Sequence, residues 1–146
     1  MKRLVLALSA LAFAGTAAFA DPIADRQAIM KANGKALKSI AGIAKGADPF
    51  DADVVMAALK TLSEDAQKID IARLFPQGSE AGGDTTASPK IWEDAEGFQK
   101  AVDKFKADTA EAVAAAPADL DAFKAQFGKI SQNCSNCHET FRLKKG

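Results

Sequence analysis

Residues 134–138 hold both cysteines and the one histidine of the chain, in the order Cys-Ser-Asn-Cys-His. On a helix, two thiols three positions apart lie on one face, where they can add to the two vinyl groups of a single haem. The histidine after the second cysteine can supply one axial nitrogen to the iron. C-x-x-C-H is the attachment signal of c-type haem, so the segment predicts a covalent haem c held by Cys134, Cys137 and His138.

Three other uses of a C-x-x-C pair have to be weighed. A thioredoxin-like redox pair belongs near a βαβ pattern, and the sequence contains none. A structural zinc site needs four ligands, and the chain offers no second pair of cysteines or histidines. A disulfide between Cys134 and Cys137 suits an oxidising compartment but would strain a continuous helix. Haem attachment is favoured, while the disulfide and a haem-free helical interaction module stay open.

The length and charge of the chain exclude several classes of protein. The 146 residues suffice for one domain with a sizeable core. Nineteen basic and nineteen acidic residues balance, which excludes a strongly basic nucleic-acid binder and an acidic disordered tail. A single histidine also excludes coordination of one iron by two histidines of this chain.

The first twenty residues have the pattern of a secretory signal peptide. Lys2 and Arg3 precede a short apolar run, and Ala18-Phe19-Ala20 is an A-x-A cleavage pattern. Cleavage would remove two basic residues and leave 17 basic and 19 acidic ones in a single domain of residues 21–146. We therefore expect an exported periplasmic protein with no membrane attachment after cleavage.

The spacing of apolar residues predicts four helices beyond the signal peptide. On the first helix the apolar stripe runs through Met30, Asn33, Leu37, Ile40 and Ala44, and it is expected to face the core. Some twenty residues between the second and third helices, from about Phe75 to Gly83 and beyond, are expected to form a loop. The expected boundaries are Asp21-Pro22 and Gly46, Asp51 at the start of the second helix, Ser88-Pro89 and Pro117, and Asp119 as the cap of the last.

A helical bundle with C-x-x-C-H near the end of its last helix resembles the class II cytochromes c, the cytochrome c′ family. Three segments carry the resemblance: residues 26–30, Ile91-Trp92, and residues 134–142. It implies an all-α, antiparallel, up-down-up-down four-helix bundle with one covalent haem c per chain. Class I cytochromes c place the motif near the N-terminus, which is the reverse of the order here.

The sixth iron ligand would decide the function. Met30 and Met56 supply the candidate thioethers, and Met30 lies in step with Leu37 on its stripe. In cytochrome c′ proper the position matching Met30 usually holds a residue such as Leu, and the open iron binds gases such as NO or CO. A Met there is typical of the low-spin cytochrome c-556 type. We expect Met30 to be the distal ligand of an electron carrier that is not an enzyme; the alternatives are a gas-binding cytochrome c′ and a Met30 that only packs the core.

Further residues follow from the same resemblance. Arg26, Trp92 and Arg142 are expected near the haem, with a surface ion pair, plain core packing and a solvated arginine as the respective alternatives. The expected partners are periplasmic redox proteins, with no nucleic acid. A homodimer through the first two helices would use a face that includes Val54, Met56 and Ala57.

Overall fold

The computed structural model describes residues 21–144, so the predicted signal peptide of residues 1–20 lies outside the described chain. Within the described range, no helix is both long enough and apolar enough to cross a membrane.

Four long helices form the body of the molecule. Aspartates cap three of them, as predicted: the carboxylates of Asp21, Asp51 and Asp119 accept hydrogen bonds from backbone N–H groups of the first helical turn. Two short helices lie between the second and third long ones. The elements are α1 (Pro22–Ala44), α2 (Ala52–Gln67), the short α3 (Ile71–Leu74) and α4 (Lys90–Glu93), α5 (Ala95–Ala115) and α6 (Leu120–Phe141).

The predicted third helix does not run unbroken from Ser88-Pro89. The chain leaves helical geometry at Asp94, and the carboxylate of Asp94 caps α5 by accepting a hydrogen bond of 3.0 Å from the N–H of Gly97. An aspartate competes with the helical backbone for such donors, which explains the break between α4 and α5. At its other end α5 stops with Ala116 in a left-handed conformation just before Pro117, as the proline indicated.

The long helices pack as a four-helix bundle in which α1 contacts α2, α2 contacts α5, α5 contacts α6, and α6 returns to α1. One apolar face of α2 is fully buried and forms much of the centre. Its members are Val55, Leu59, Leu62 and Ala66, and Ile69, just after the helix, is buried as well. Phe123 and Ile130 of α6 complete this core from the opposite side.

The core face of α1 shares Asn33 and Ile40 with the predicted stripe but otherwise lies one position towards the N-terminus. Ile29, Ala36, Ile40 and Ile43 are buried, whereas Met30 is 40% exposed and Leu37 is half-buried. The expectation that Met30 faces the core is therefore wrong. Helix α1 therefore has two adjacent apolar faces. The face with Ile29 and Ile40 packs in the core, and the face with Met30 and Leu37 borders an open cleft.

Residues 75–89, here called the cleft loop, connect α3 to α4. They carry the predicted loop, and Gly78, Gly82 and Gly83 adopt positive φ angles there. Near its end, the loop pairs with the chain that leaves α6. The N–H of Ser88 donates to the carbonyl of Phe141 (3.0 Å), and the N–H of Leu143 donates to the carbonyl of Thr86 (2.8 Å).

Candidate functional site

The C-x-x-C-H segment lies within the last two turns of α6, on an uninterrupted helix. Cys134 and Cys137 are both free thiols and half-buried, so the disulfide considered from the sequence is not formed. Among residues 21–144, no group of three or more cysteine, histidine or acidic side chains converges in the way a metal cluster needs. The geometry places two thiols on one face with the imidazole of His138 beside them.

The surroundings set the protonation of these three groups. Burial raises the pKa of Cys134, and burial together with the neighbouring Cys134 raises the pKa of Cys137 to about 11. Burial and the positive charge of Arg142 both lower the pKa of His138. At neutral pH the imidazole therefore carries no extra proton, and a ring nitrogen keeps its lone pair for a metal ion.

A cleft of about 730 Å³ opens in front of this face. Helices α1, α5 and α6 form its walls, and the cleft loop forms part of its rim. Most of the lining is apolar, including Leu37, Phe98, Val102, Phe105 and Phe141. The volume lies within the about 300–1,000 Å³ that is usual for cofactor and small-molecule sites.

One of the two candidate methionines lines the cleft. Met30, on α1, shares the lining with Cys134, Cys137 and His138. Met56 packs against the bundle core and is absent from the lining. The structure thus brings Met30 and the C-x-x-C-H segment to one cavity from two different helices.

Comparison with known proteins shows the family of the chain. The profile of the cytochrome c′ family matches residues 21–142. The chain belongs to the cytochrome c′ family.

Relatives within this family include two proteins of Rhodopseudomonas palustris. Its cytochrome c′ is 42% identical over 86% of this chain and 84% of the relative, and a solved structure of that name superposes with a TM-score of 0.79, covering 86% of this chain and 98% of the other. Its cytochrome c-556 is 36% identical over the full length of both chains. A solved nitric oxide complex of a mutant cytochrome c prime from Alcaligenes xylosoxidans is 31% identical, with a TM-score of 0.72 over 86% of this chain and 99% of that one.

Cytochromes of this family bind covalently attached haem c, and the cleft fits such a group. Gly34 lines the cleft, and a Cβ atom built on it meets no atom within 4 Å, so this part of α1 leaves space for a flat ligand. Asn33 also lines the cleft, is only 6% exposed, and its Oδ1 has no hydrogen-bond partner in the described chain. A buried polar atom of this kind normally has a partner, which a molecule in the cleft can supply.

Arg26 fastens α1 of this cytochrome to the cleft loop. Its guanidinium is buried and donates to the carbonyl of Leu74 (3.0 Å), to the Oγ (2.9 Å) and carbonyl (2.6 Å) of Ser79, and to the Oγ1 of Thr85 (2.6 Å). It also stacks over the ring of Phe75 at 5.1 Å. Because both terminal nitrogens are engaged, only the Nε–H of Arg26 is left for a haem carboxylate. Arg26 is buried, so the alternative of a surface ion pair is wrong.

Trp92 lies one layer behind the cleft rather than on its wall. Its Nε1–H donates to the carbonyl of Phe75 at 3.0 Å, and its ring meets the ring of Phe75 edge-on. Phe75 in turn packs edge-on against Phe98, and both of these line the cleft. The predicted direct contact between Trp92 and a haem is therefore not supported, and Trp92 instead supports the aromatic wall.

Arg142 follows α6 and lines the cleft beside His138, as the sequence predicted. Its Nε contacts the Oγ1 of Thr86 at 3.4 Å, and its backbone forms an isolated bridge with Ala87. The side chain remains exposed and acts on His138 through its charge.

Sequence reasoning missed two polar residues of the cytochrome's cleft. Asn33 was included in an apolar stripe without a role, although a polar residue between Met30 and Leu37 was a signal that the stripe does not face a plain core. Asn133, directly before Cys134, is buried and lines the cleft too. Its side-chain amide donates a hydrogen bond to Asp108 on α5, 25 residues earlier, and no local sequence pattern reveals that pairing.

Proposed function

We propose that this protein is a periplasmic electron carrier whose haem has His138 and Met30 as axial ligands. The observation that carries the proposal is the presence of Met30 and His138 on one cleft, from α1 and α6, while Met56 packs elsewhere. When bound, the haem supplies an iron that alternates between the ferric and ferrous states, one electron at a time.

The residues of the chain would divide the work of holding the group. Cys134 and Cys137 would form the two thioether bonds, and His138 would bind the iron from the α6 side. A soft thioether from Met30 favours ferrous iron and raises the reduction potential relative to a harder donor. With both axial positions filled by the protein, no position is free for a substrate, so we propose no enzymatic activity.

A second function is supported by two observations. Met30 lines the cleft and belongs to neither of the two packed core clusters, so core packing does not fix its side chain. The similar solved structure from Alcaligenes xylosoxidans is a nitric oxide complex of a mutant cytochrome c prime. The alternative is therefore a five-coordinate cytochrome c′ that binds small gases such as NO or CO.

Optical spectra of the purified holoprotein in both oxidation states test the two functions. We expect a low-spin, six-coordinate spectrum in the wild type and in Met56→Ala, and a high-spin spectrum with a lower midpoint potential in Met30→Ala. Rapid, tight CO binding by the ferrous wild type, with a five-coordinate spectrum before CO is added, would contradict Met30 ligation and favour the gas-binding function.

Export and partners extend the proposal. Residues 1–20 would direct the chain to the periplasm, where other redox proteins would donate and accept its electrons. The homodimer through α1 and α2 stays a prediction: Val54 and Ala57 are exposed, whereas Met56 packs partly against the core of its own chain. Cell fractionation and sedimentation of the holoprotein measure these two properties.

A further inference from the structure

A buried carboxylate lies where α5 packs against α6, outside the set of residues that would hold the haem. The Oδ2 atom of Asp108 accepts two hydrogen bonds of 2.7 Å, one from the Nδ2 of Asn133 and one from the Nζ of Lys104. The side chain of Asp108 is only 12% exposed. The group joins α5 to α6, and the proposed ligation does not use it.

The carboxylate is one side chain away from the cleft. Asn133 lines the cleft, is itself buried, and immediately precedes Cys134 on α6. Because the amide N–H of Asn133 is bound to Asp108, the carbonyl end of the same amide dipole is directed away from the carboxylate. The dipole and the charge of Asp108 therefore add, and both bring negative potential towards the cleft.

Asp108 stays ionised at neutral pH. Burial alone would raise its pKa, but the hydrogen bonds from Lys104 and Asn133 and the charges of Lys104 and Lys129 outweigh burial, so the pKa lies below its ordinary value. Lys129 is in turn paired with Glu111 across α5 and α6. Lys104 and Lys129 are the two charged groups in the described chain for which the structure gives an interaction with Asp108.

Lys104 offsets only part of the field that Asp108 exerts on the cleft side. The side chain of Lys104 is 63% exposed, so water screens its charge, while the carboxylate is shielded from water. Charges in a poorly solvated site act over longer distances than exposed ones, since the effective dielectric constant there is lower. The cleft therefore experiences a net negative contribution from the pair.

We propose that Asp108 is a positioning and potential-setting residue that acts through Asn133 and favours the oxidised form of the bound haem. Reduction adds one electron to the iron and lowers the positive charge of the site by one, so a fixed negative charge nearby opposes it. Asp108 gains no proton and no electron in this step. The inference rests on the proposed electron-carrying function, but its test does not depend on whether Met30 is a ligand.

The test compares the midpoint potentials of holoproteins by spectroelectrochemical titration at neutral pH. Asp108→Asn removes the charge with nearly the same shape and should shift the potential upwards. The matched control is Asp103→Asn on the same helix, where the carboxylate is exposed and accepts only a hydrogen bond from Gln99. We expect the shift in the control to be several times smaller, and equal shifts, no shift or a downward shift in Asp108→Asn would overturn the inference.

A second variant keeps the inference testable if Asp108→Asn fails to accumulate. Lys104→Met leaves the carboxylate in place and removes its positive partner, so the potential should fall, and an unchanged or higher potential would overturn the inference. The spectra recorded during each titration report axial ligation separately. A five-coordinate wild type would end the Met30 proposal, while the difference between Asp108→Asn and Asp103→Asn would still decide the role of Asp108.

Discussion

Arg26 holds Ser79 by both of its oxygen atoms, with hydrogen bonds of 2.9 Å to the hydroxyl and 2.6 Å to the carbonyl across 53 positions of sequence. Both residues are buried. The pair joins the first turns of α1 to the cleft loop. Arg26 lies four residues before Met30 on α1. The wall that carries Met30 and the rim of the cleft are thus one connected unit.

Replacing Arg26 by Ala should destabilise the holoprotein by about 3 kcal/mol, because four acceptors, three of them in buried hydrogen bonds, lose a charged donor at once. Urea unfolding measures the change, and amide hydrogen exchange should become faster in residues 75–87. Arg73→Ala is the control: Arg73 forms an exposed ion pair with Asp25, whose removal should cost about 0–1 kcal/mol. Similar losses in the two variants would contradict the fastening role of Arg26.

Gly34 offers a test of the space in the cleft. Gly34→Ala should stabilise α1 by about 0.5–1 kcal/mol, since alanine is the better helix former and its Cβ meets no neighbour. Gly34→Leu should keep the helix but fill the cleft, and so lower the amount of haem attached per chain. The ratio of Soret absorbance to protein concentration measures attachment. Full attachment in Gly34→Leu would show that the haem lies away from this part of α1.

Trp92→Phe separates a supporting role from a direct contact with the haem. The change removes the hydrogen bond to the carbonyl of Phe75 and should lower stability by about 1 kcal/mol. Because Trp92 is not part of the lining, the Soret band and the midpoint potential should stay unchanged. A clear spectral shift would instead restore Trp92 as a neighbour of the haem.

Asp108 should make the protein sensitive to acid. Its pKa in the folded chain lies below the ordinary value of 3.8, so its ionised form stabilises the fold above that value. This contribution should disappear as the pH falls from the unfolded pKa through the lower, folded one. The difference in unfolding free energy between the wild type and Asp108→Asn should therefore shrink below pH 4. A constant difference from neutral pH down to acid would show that Asp108 does not titrate in this way.

Local chemistry made some features predictable from the sequence. Asp51 and Asp119 cap helices because a short carboxylate before an apolar run meets free N–H groups, and Pro117 ends α5 for an equally local reason. The spacing of Cys134 and Cys137 placed both thiols on one face of α6. These features depend on residues within one or two helical turns.

Other features depend on contacts that local spacing does not encode. The period of a helix locates an apolar face but does not distinguish a face against the core from one beside a cavity, so Met30 was assigned to the wrong surroundings. Asp94 interrupts an otherwise regular pattern through its own side chain. The bonds from Arg26 to Ser79 and from Asn133 to Asp108 join separate elements, and only the packed bundle brings them together.

The double attachment of the cleft loop would have a consequence for the rate of the proposed electron exchange. Arg26 ties the loop to α1, and the backbone pairs of Thr86 and Ser88 tie it to the end of α6. The helices that carry Met30 and His138 therefore cannot move apart through this connection without breaking one of the two attachments or deforming the loop. An electron carrier exchanges faster when its atoms move little between oxidation states, so this closed circuit of hydrogen bonds would keep the reorganisation energy of the site low.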